Sequence, residues 1–385
     1  MRQWLGAGTV AIALLVSGCS SSADDFSALP AGAPADGAHD DGSKSAAPSS
    51  DFAPEPTSPG AASDAPSVSA MPETSAPASG KGSTGQQAAA GVLTAGAWDD
   101  NRNFARFLGY RSGLAALNLP GLLPITEDEL NVAHQLWVAA PSAKQALDIS
   151  LIIDTTGSMG DEIAYLQAEF LTLSKTITMN HPEAAQRWSF VLYKDLGDAY
   201  VTQLFDFTSS TKDFSAHLAA VSAGGGGDLP ESPDRGFAIA QQLAWSSQSS
   251  TAKLAFWLAD APHHDDKAEA MADGIRGLSQ LGVHVYPIAS SGTSELTEVT
   301  MRTAAALSGG RYLFLTNDSG VGNDHKEPTI PCYFVTKLDL AIERMVDIEL
   351  SGVYREPDAS EILRTGGDPK DGACQLESGE SVLVF

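Results

Sequence analysis

From Asp148 onward the chain alternates two hydrophobic periods. Asp148 to Asp154 reads DISLIID, a continuous apolar run with acidic ends, as expected of a strand buried on both faces. The next apolar positions are Ile163, Leu166, Phe170, Leu173 and Ile177, at steps of three and four. That spacing predicts a helix from about Gly160, with Asp161 and Glu162 in its first turn and Pro182 just past its end. Strands are predicted at Arg187 to Tyr193 and Tyr200 to Phe207, close enough to pair as a hairpin through the turn at Gly197-Asp198. Helices follow at Lys212 to Val221 and at Pro233 to Trp245. Further strands are expected at Lys253 to Leu258, Val283 to Ala289 and Arg311 to Leu315. Between them lie helices at Ala268 to Leu281 and Ser294 to Leu307, and a last helix runs from about Thr336 to Ile348.

Strands alternating with helices of this length specify an α/β fold with a doubly wound, mostly parallel sheet flanked by helices. Upstream, 92–146 reads as an N-terminal addition with at least one helix, capped by Thr126 with acidic residues in its first turn. Downstream, 353–385 reads as a short strand-rich tail. Between Ser20 and about Gly91 the composition collapses to Ala, Ser, Pro, Gly, Asp and Thr. Such a segment buries too little apolar surface to offset its ordering entropy, so 19–91 is expected to be a disordered linker. By flexible-chain scaling its ends lie on the order of 45 Å apart.

The first residues change the picture again. Arg2 precedes a short apolar run, Leu5 to Val16, and then Val16-Ser17-Gly18-Cys19. That tetrapeptide resembles the lipobox of bacterial lipoproteins. The resemblance implies a signal peptide over 1–18, acylation of Cys19 and anchoring in the cell envelope. Ser20 implies the outer membrane of a Gram-negative bacterium, periplasmic or surface-facing. The alternative is an ordinary signal peptide with an incidental Cys. Two cysteines remain, Cys332 and Cys374. In an oxidising compartment an even count favours one disulfide over two free thiols. The net charge of −25 argues against a nucleic-acid partner, which requires a basic surface.

In doubly wound sheets ligands bind at the carboxyl ends of the strands. There the first strand gives Asp154-Thr155-Thr156-Gly157-Ser158, the strand ending near Leu258 gives Asp260, and between them lies Gly224 to Gly227, then Asp228. Oxygen donors from three loops suit a hard divalent cation. Asp154 and Ser158 taken alone could equally cap a helix. The D-x-T-x-S run resembles the metal-ion-dependent adhesion site of von Willebrand factor A-type domains, as do DTTGSMGDEI, YKD (Tyr193 to Asp195) and GGGGDLPES. The likeness covers about Asp148 to Gly352, setting the domain at 147–352 with a Rossmann-like fold. It implies Asp154, Thr156, Ser158, Asp228 and Asp260 as ligands of Mg²⁺, Mn²⁺ or Ca²⁺. Asp195, Gly227 and His263 are assigned to the rim or to the groups behind the ligands. The implied function is capture of a protein partner whose acidic side chain completes the metal's coordination, without catalysis. A metal-stabilised envelope scaffold is the alternative. A metal-dependent hydrolase is a third reading, though no H-E-x-x-H or G-x-S-x-G is present.

Overall fold

The computed structural model describes residues 93–139, 143–227, 229–319 and 324–385. The signal-peptide, Cys19 and linker readings, and Asp228, lie outside the described residues. The elements are β1 (Thr94–Trp98), α1 (Phe104–Ala116), α2 (Glu127–Ala139), β2 (Ala146–Asp154), α3 (Gly160–Asn180), β3 (Ala185–Tyr193), β4 (Thr202–Thr208), α4 (Thr211–Leu218) and α5 (Pro233–Ala240). There follow β5 (Thr251–Ala259), α6 (Ala268–Gln280), β6 (His284–Ala289), α7 (Glu295–Ser308), β7 (Tyr312–Thr316), β8 (Tyr333–Lys337), α8 (Leu338–Ser351), β9 (Arg364–Gly366), β10 (Ala373–Gln375) and β11 (Ser381–Leu383).

Among the described residues nine strands form one sheet in the order β4-β3-β2-β5-β6-β7-β1-β8-β9. The run from β3 to β7 is parallel, and the predicted β3–β4 hairpin is antiparallel at one edge. Both faces are covered, as the unbroken apolar runs require. Along β2, Ile149, Leu151 and Ile153 face a core built with α3, α4 and α8. Ile152 enters a second core with α5, α6 and α7 on the other face. The alternation continues in β5, where Phe256 and Leu258 face one way and Ala255 and Trp257 the other.

Strand β1 comes from the segment preceding the α/β alternation, yet it lies inside the sheet, antiparallel to both β7 and β8. Its sequence, TAGAW, is nearly free of bulk, and the neighbouring strand explains why. A Cβ on Gly96 would lie 2.3 Å from Cζ of Phe314, so the ring occupies the space a side chain would need. Buried ion pairs fix its far end. Asp100 accepts two hydrogen bonds from Arg302 on α7 and one from Trp98 Nε1, and Asp99 pairs with Arg311. The capping box at Thr126 forms, with Glu129 N donating to Thr126 Oγ1 and Thr126 N donating to Glu129 Oε2.

Two elements differ from expectation. The helix predicted over Pro233 to Trp245 ends at Ala240, because the Trp245 indole turns back and donates to the Ala240 carbonyl. The helix predicted from Thr336 begins at Leu338, because Tyr333 to Lys337 pair with β1 and β9. In the C-terminal region β9 joins the main sheet, β10 and β11 form a hairpin, and a disulfide joins Cys332 to Cys374. Among the described residues no helix is long and apolar enough to cross a membrane.

Candidate metal centre

Three loops meet at the carboxyl ends of β2 and β5. The first leaves β2 at Asp154, which is fully buried. Its Oδ1 accepts from the Thr156 backbone N (2.9 Å) and from Thr156 Oγ1 (2.7 Å), while Oδ2 is buried without a hydrogen-bond partner. A short turn over Gly157–Met159 then leads into α3. Asp260 stands one residue past β5. The side chain of Ser158 lies close enough to favour the charged form of Asp260, whose Oδ1 is likewise buried and unpartnered. Asp154, Thr156, Ser158 and Asp260 are thus brought to one place.

The third loop, Ala223 to Gly227, is held against the first by backbone bonds. Gly157 N donates to Gly225 O and Gly224 N to Thr155 O, both at 3.1 Å. Lys194, buried, donates its ammonium to the carbonyls of Thr155 and Gly224 and so ties the two loops together. Gly225, Gly226 and Gly227 all have positive φ, a conformation glycine adopts without strain. Gly227 itself is exposed.

Asp195 accepts from Ser232 Oγ and His264 Nε2, both at 2.7 Å, and so secures the chain just beyond the glycine loop. His263 was assigned to the rim or to the groups behind the ligands, and the structure takes it away from the rim. It is buried, with Nε2 hydrogen-bonded to the Gly121 carbonyl at 2.9 Å, and its neighbour His264 takes the place beside Asp195. Glu231 was not singled out. It is buried, its Oε2 has no partner, and its Oε1 lies 3.1 Å from where a Cβ on Gly226 would stand, as does Thr156 Cβ. Glu162, on the first turn of α3, is also buried with an unpartnered Oε2.

This gathering of acids has an electrostatic signature. Burial pushes Asp154 up to about 7, against the pull of its Thr156 hydrogen bonds, with Asp260 adding repulsion. Burial likewise raises Asp260 to about 6, and Glu231 to about 8 with help from Asp154. Asp195 behaves oppositely. Burial would raise it, but the bonds from Ser232 and His264 prevail and hold it below the usual carboxylate range. Among the described residues no three His, Cys, Asp or Glu side chains converge into a ready-made metal cluster. The donor set is instead a mixture of two acids and two hydroxyls. The orphaned oxygens of Asp154 and Asp260 are what a hard cation would satisfy, so these residues fit such an ion.

Residues 148–315 match the family model of the von Willebrand factor A domain. An alpha-protein kinase, vwkA, of Dictyostelium discoideum is 27% identical over 157 residues, covering 40% of this chain and 25% of that protein. An ariadne-like RING finger protein of Acanthamoeba polyphaga mimivirus is 28% identical over 135 residues, covering 35% of this chain and 13% of its own length. The chain therefore spans a quarter or less of these curated relatives. Among solved structures, the conserved hypothetical protein BatB from Bacteroides thetaiotaomicron is similar, at 15% identity and a TM-score of 0.33. That likeness covers 46% of this chain and 93% of the other. The sheet order gives 148–315 an α/β architecture, and the same span is similar to the von Willebrand factor A domain.

Proposed function

We propose that this region is a metal-dependent binding module that captures a protein ligand and carries out no reaction. Asp154 and Asp260 would hold Mg²⁺ or Mn²⁺ together with the hydroxyls of Thr156 and Ser158, with Asp228 as a further donor. When bound, the ion supplies a Lewis-acidic point that an acidic side chain of the partner can complete. The remaining residues keep that point rigid. Lys194 pins the Asp154 loop to the glycine loop, and Asp195 steadies the segment that follows through Ser232. The observation that carries the reading is the pair of buried carboxylate oxygens, Asp154 Oδ2 and Asp260 Oδ1, that receive no hydrogen bond.

Calorimetric titration of Mg²⁺, Mn²⁺ and Ca²⁺ into the full chain, beside Asp154→Ala, tests it. Saturable binding in the unmodified chain alone is the expected result. Equal heats in both would remove Asp154 from the site, and with it the proposal. We further propose that Cys19 is acylated and that the chain is anchored in the cell envelope, probed by palmitate labelling. Label retained in Cys19→Ala would refute the anchor. The kinase activity named in one relative supports no enzymatic reading, since the likeness covers only 25% of that protein.

A further inference from the structure

The opposite end of the sheet carries a second, chemically different depression. Two cavities of about 550 and 430 Å³ adjoin there and share Trp137, Gly282, His284 and Gly309. Each lies within the roughly 300–1,000 Å³ range of small-molecule sites. The larger is walled by Val132, Ala133, Leu136 and Trp137 of α2 and by Leu307 at the end of α7. Val132 and Leu136 are 58% and 68% exposed, one helical turn apart, and make an apolar strip rather than scattered single residues. Gly309, the left-handed C-cap of α7, leaves the gap open between Trp137 and His284. A Cβ there would stand 3.5 Å from both side chains.

The smaller cavity is basic where the larger is greasy. His284 faces both, and its Nδ1 donates to Glu349 at 2.8 Å. Glu349 also accepts from Tyr286 and pairs with Arg311, so its charge is spent within the fold. Lys144 lines the cavity with its ammonium on the Ser249 carbonyl, and Lys253 carries its own on the Leu281 carbonyl beside Gly282, where the attraction of Asp148 outweighs the repulsion from Lys144. The acids at the far mouth are Asp128 and Glu129, the latter bound by Arg276. An apolar trough therefore opens toward Lys144, Lys253 and His284, with Glu349 bound to His284 and Asp148 near Lys253, while Asp128 and the Arg276-bound Glu129 sit at the other end.

We propose that this groove binds a free amphiphilic monocarboxylate of the fatty-acid type, with the chain along α2 and the carboxylate toward Lys144 and His284. The site is separate from the metal centre and does not depend on it. Sodium dodecanoate, below its micelle concentration, is titrated into the full chain by calorimetry, with dodecanol in parallel. Saturable binding of dodecanoate at least tenfold tighter than dodecanol is expected. Leu136→Asp, a surface change that leaves the core intact, should weaken dodecanoate at least tenfold, and Lys144→Glu at least fivefold. No saturable heat, equal affinity for the alcohol, or indifference to Leu136→Asp would each overturn the assignment.

Discussion

Replacing Asp100 by Ala tests how the N-terminal strand is held in the sheet. Asp100 and Arg302 are each only 2% exposed. The substitution deletes two charge-assisted bonds from Arg302, at 3.0 and 2.7 Å, and the acceptor of Trp98 Nε1 at 2.9 Å. Arg302 stays buried, over the Tyr110 ring and bound only to Glu298 Oε1 at 3.1 Å. Hydrogen bonds to charged groups contribute about 1.5–3 kcal/mol each, and removing one partner of a buried pair typically costs about 3–5 kcal/mol. A loss of about 4 kcal/mol follows. At a urea slope near 3 kcal/mol/M the unfolding midpoint should fall by roughly 1.3 M. The companion is the apolar triple variant Asp100→Leu, Glu298→Leu, Arg302→Met, which removes the stranded charge with its partners. It should recover at least half of the loss, because uncompensated burial rather than the missing attraction dominates the single variant. A midpoint shift below about 0.3 M for Asp100→Ala, or a triple variant less stable than the single one, would refute the reasoning.

Two further outcomes are expected. Burial alone would raise Glu349, but His284, Arg311 and Tyr286 outweigh it and hold its acid at about 2, below the ordinary 4.5. Its contribution, on the order of 3 kcal/mol, is complete above about pH 4.5 and is lost as pH falls toward 2. Glu349→Gln should therefore flatten the stability–pH curve in that window only, and an unchanged slope there by urea unfolding would sink the assignment. The Cys332–Cys374 bridge spans 42 residues. The loop-closure argument puts its stabilisation at about 4 kcal/mol, so Cys332→Ala with Cys374→Ala should unfold at clearly lower urea, and a loss under about 1 kcal/mol would contradict it.

Much of the α/β core was legible because β2, β3 and β5 are covered on both faces and advertise it with unbroken apolar runs. What stayed hidden depends on partners remote in sequence. Gly96 makes sense only beneath Phe314, and Tyr333 to Lys337 become a strand only because β1 offers an edge. The helix after Pro233 looked longer because nothing local announces that Trp245 will reach back to Ala240. At the site, the D-x-T-x-S spacing places Asp154 and Thr156 together through contacts two residues apart. Glu231 was written in the same motif run as the glycines, but its burial follows from a backbone bond to Pro262 on another loop. His263 and His264 show the limit of pattern reading. Neighbours in an extended chain face opposite ways, and only the tertiary fold decides that His264 meets Asp195 while His263 turns to Gly121.

The central place of β1 also bears on the order of assembly. Its partners lie hundreds of residues downstream, the Thr94–Thr316 contact spanning 222 positions. During synthesis this strand must wait, unpaired, until β7 and β8 have been made. Loop closure over such distances is slow, so the sheet should gain its last strands late and as one cooperative event. A fragment trimmed to 148–315 would end with the β1 side of β7 bare, an open edge inviting pairing with another copy. In the full chain β1 covers that edge, so the segment ahead of the α/β alternation is what closes the sheet there.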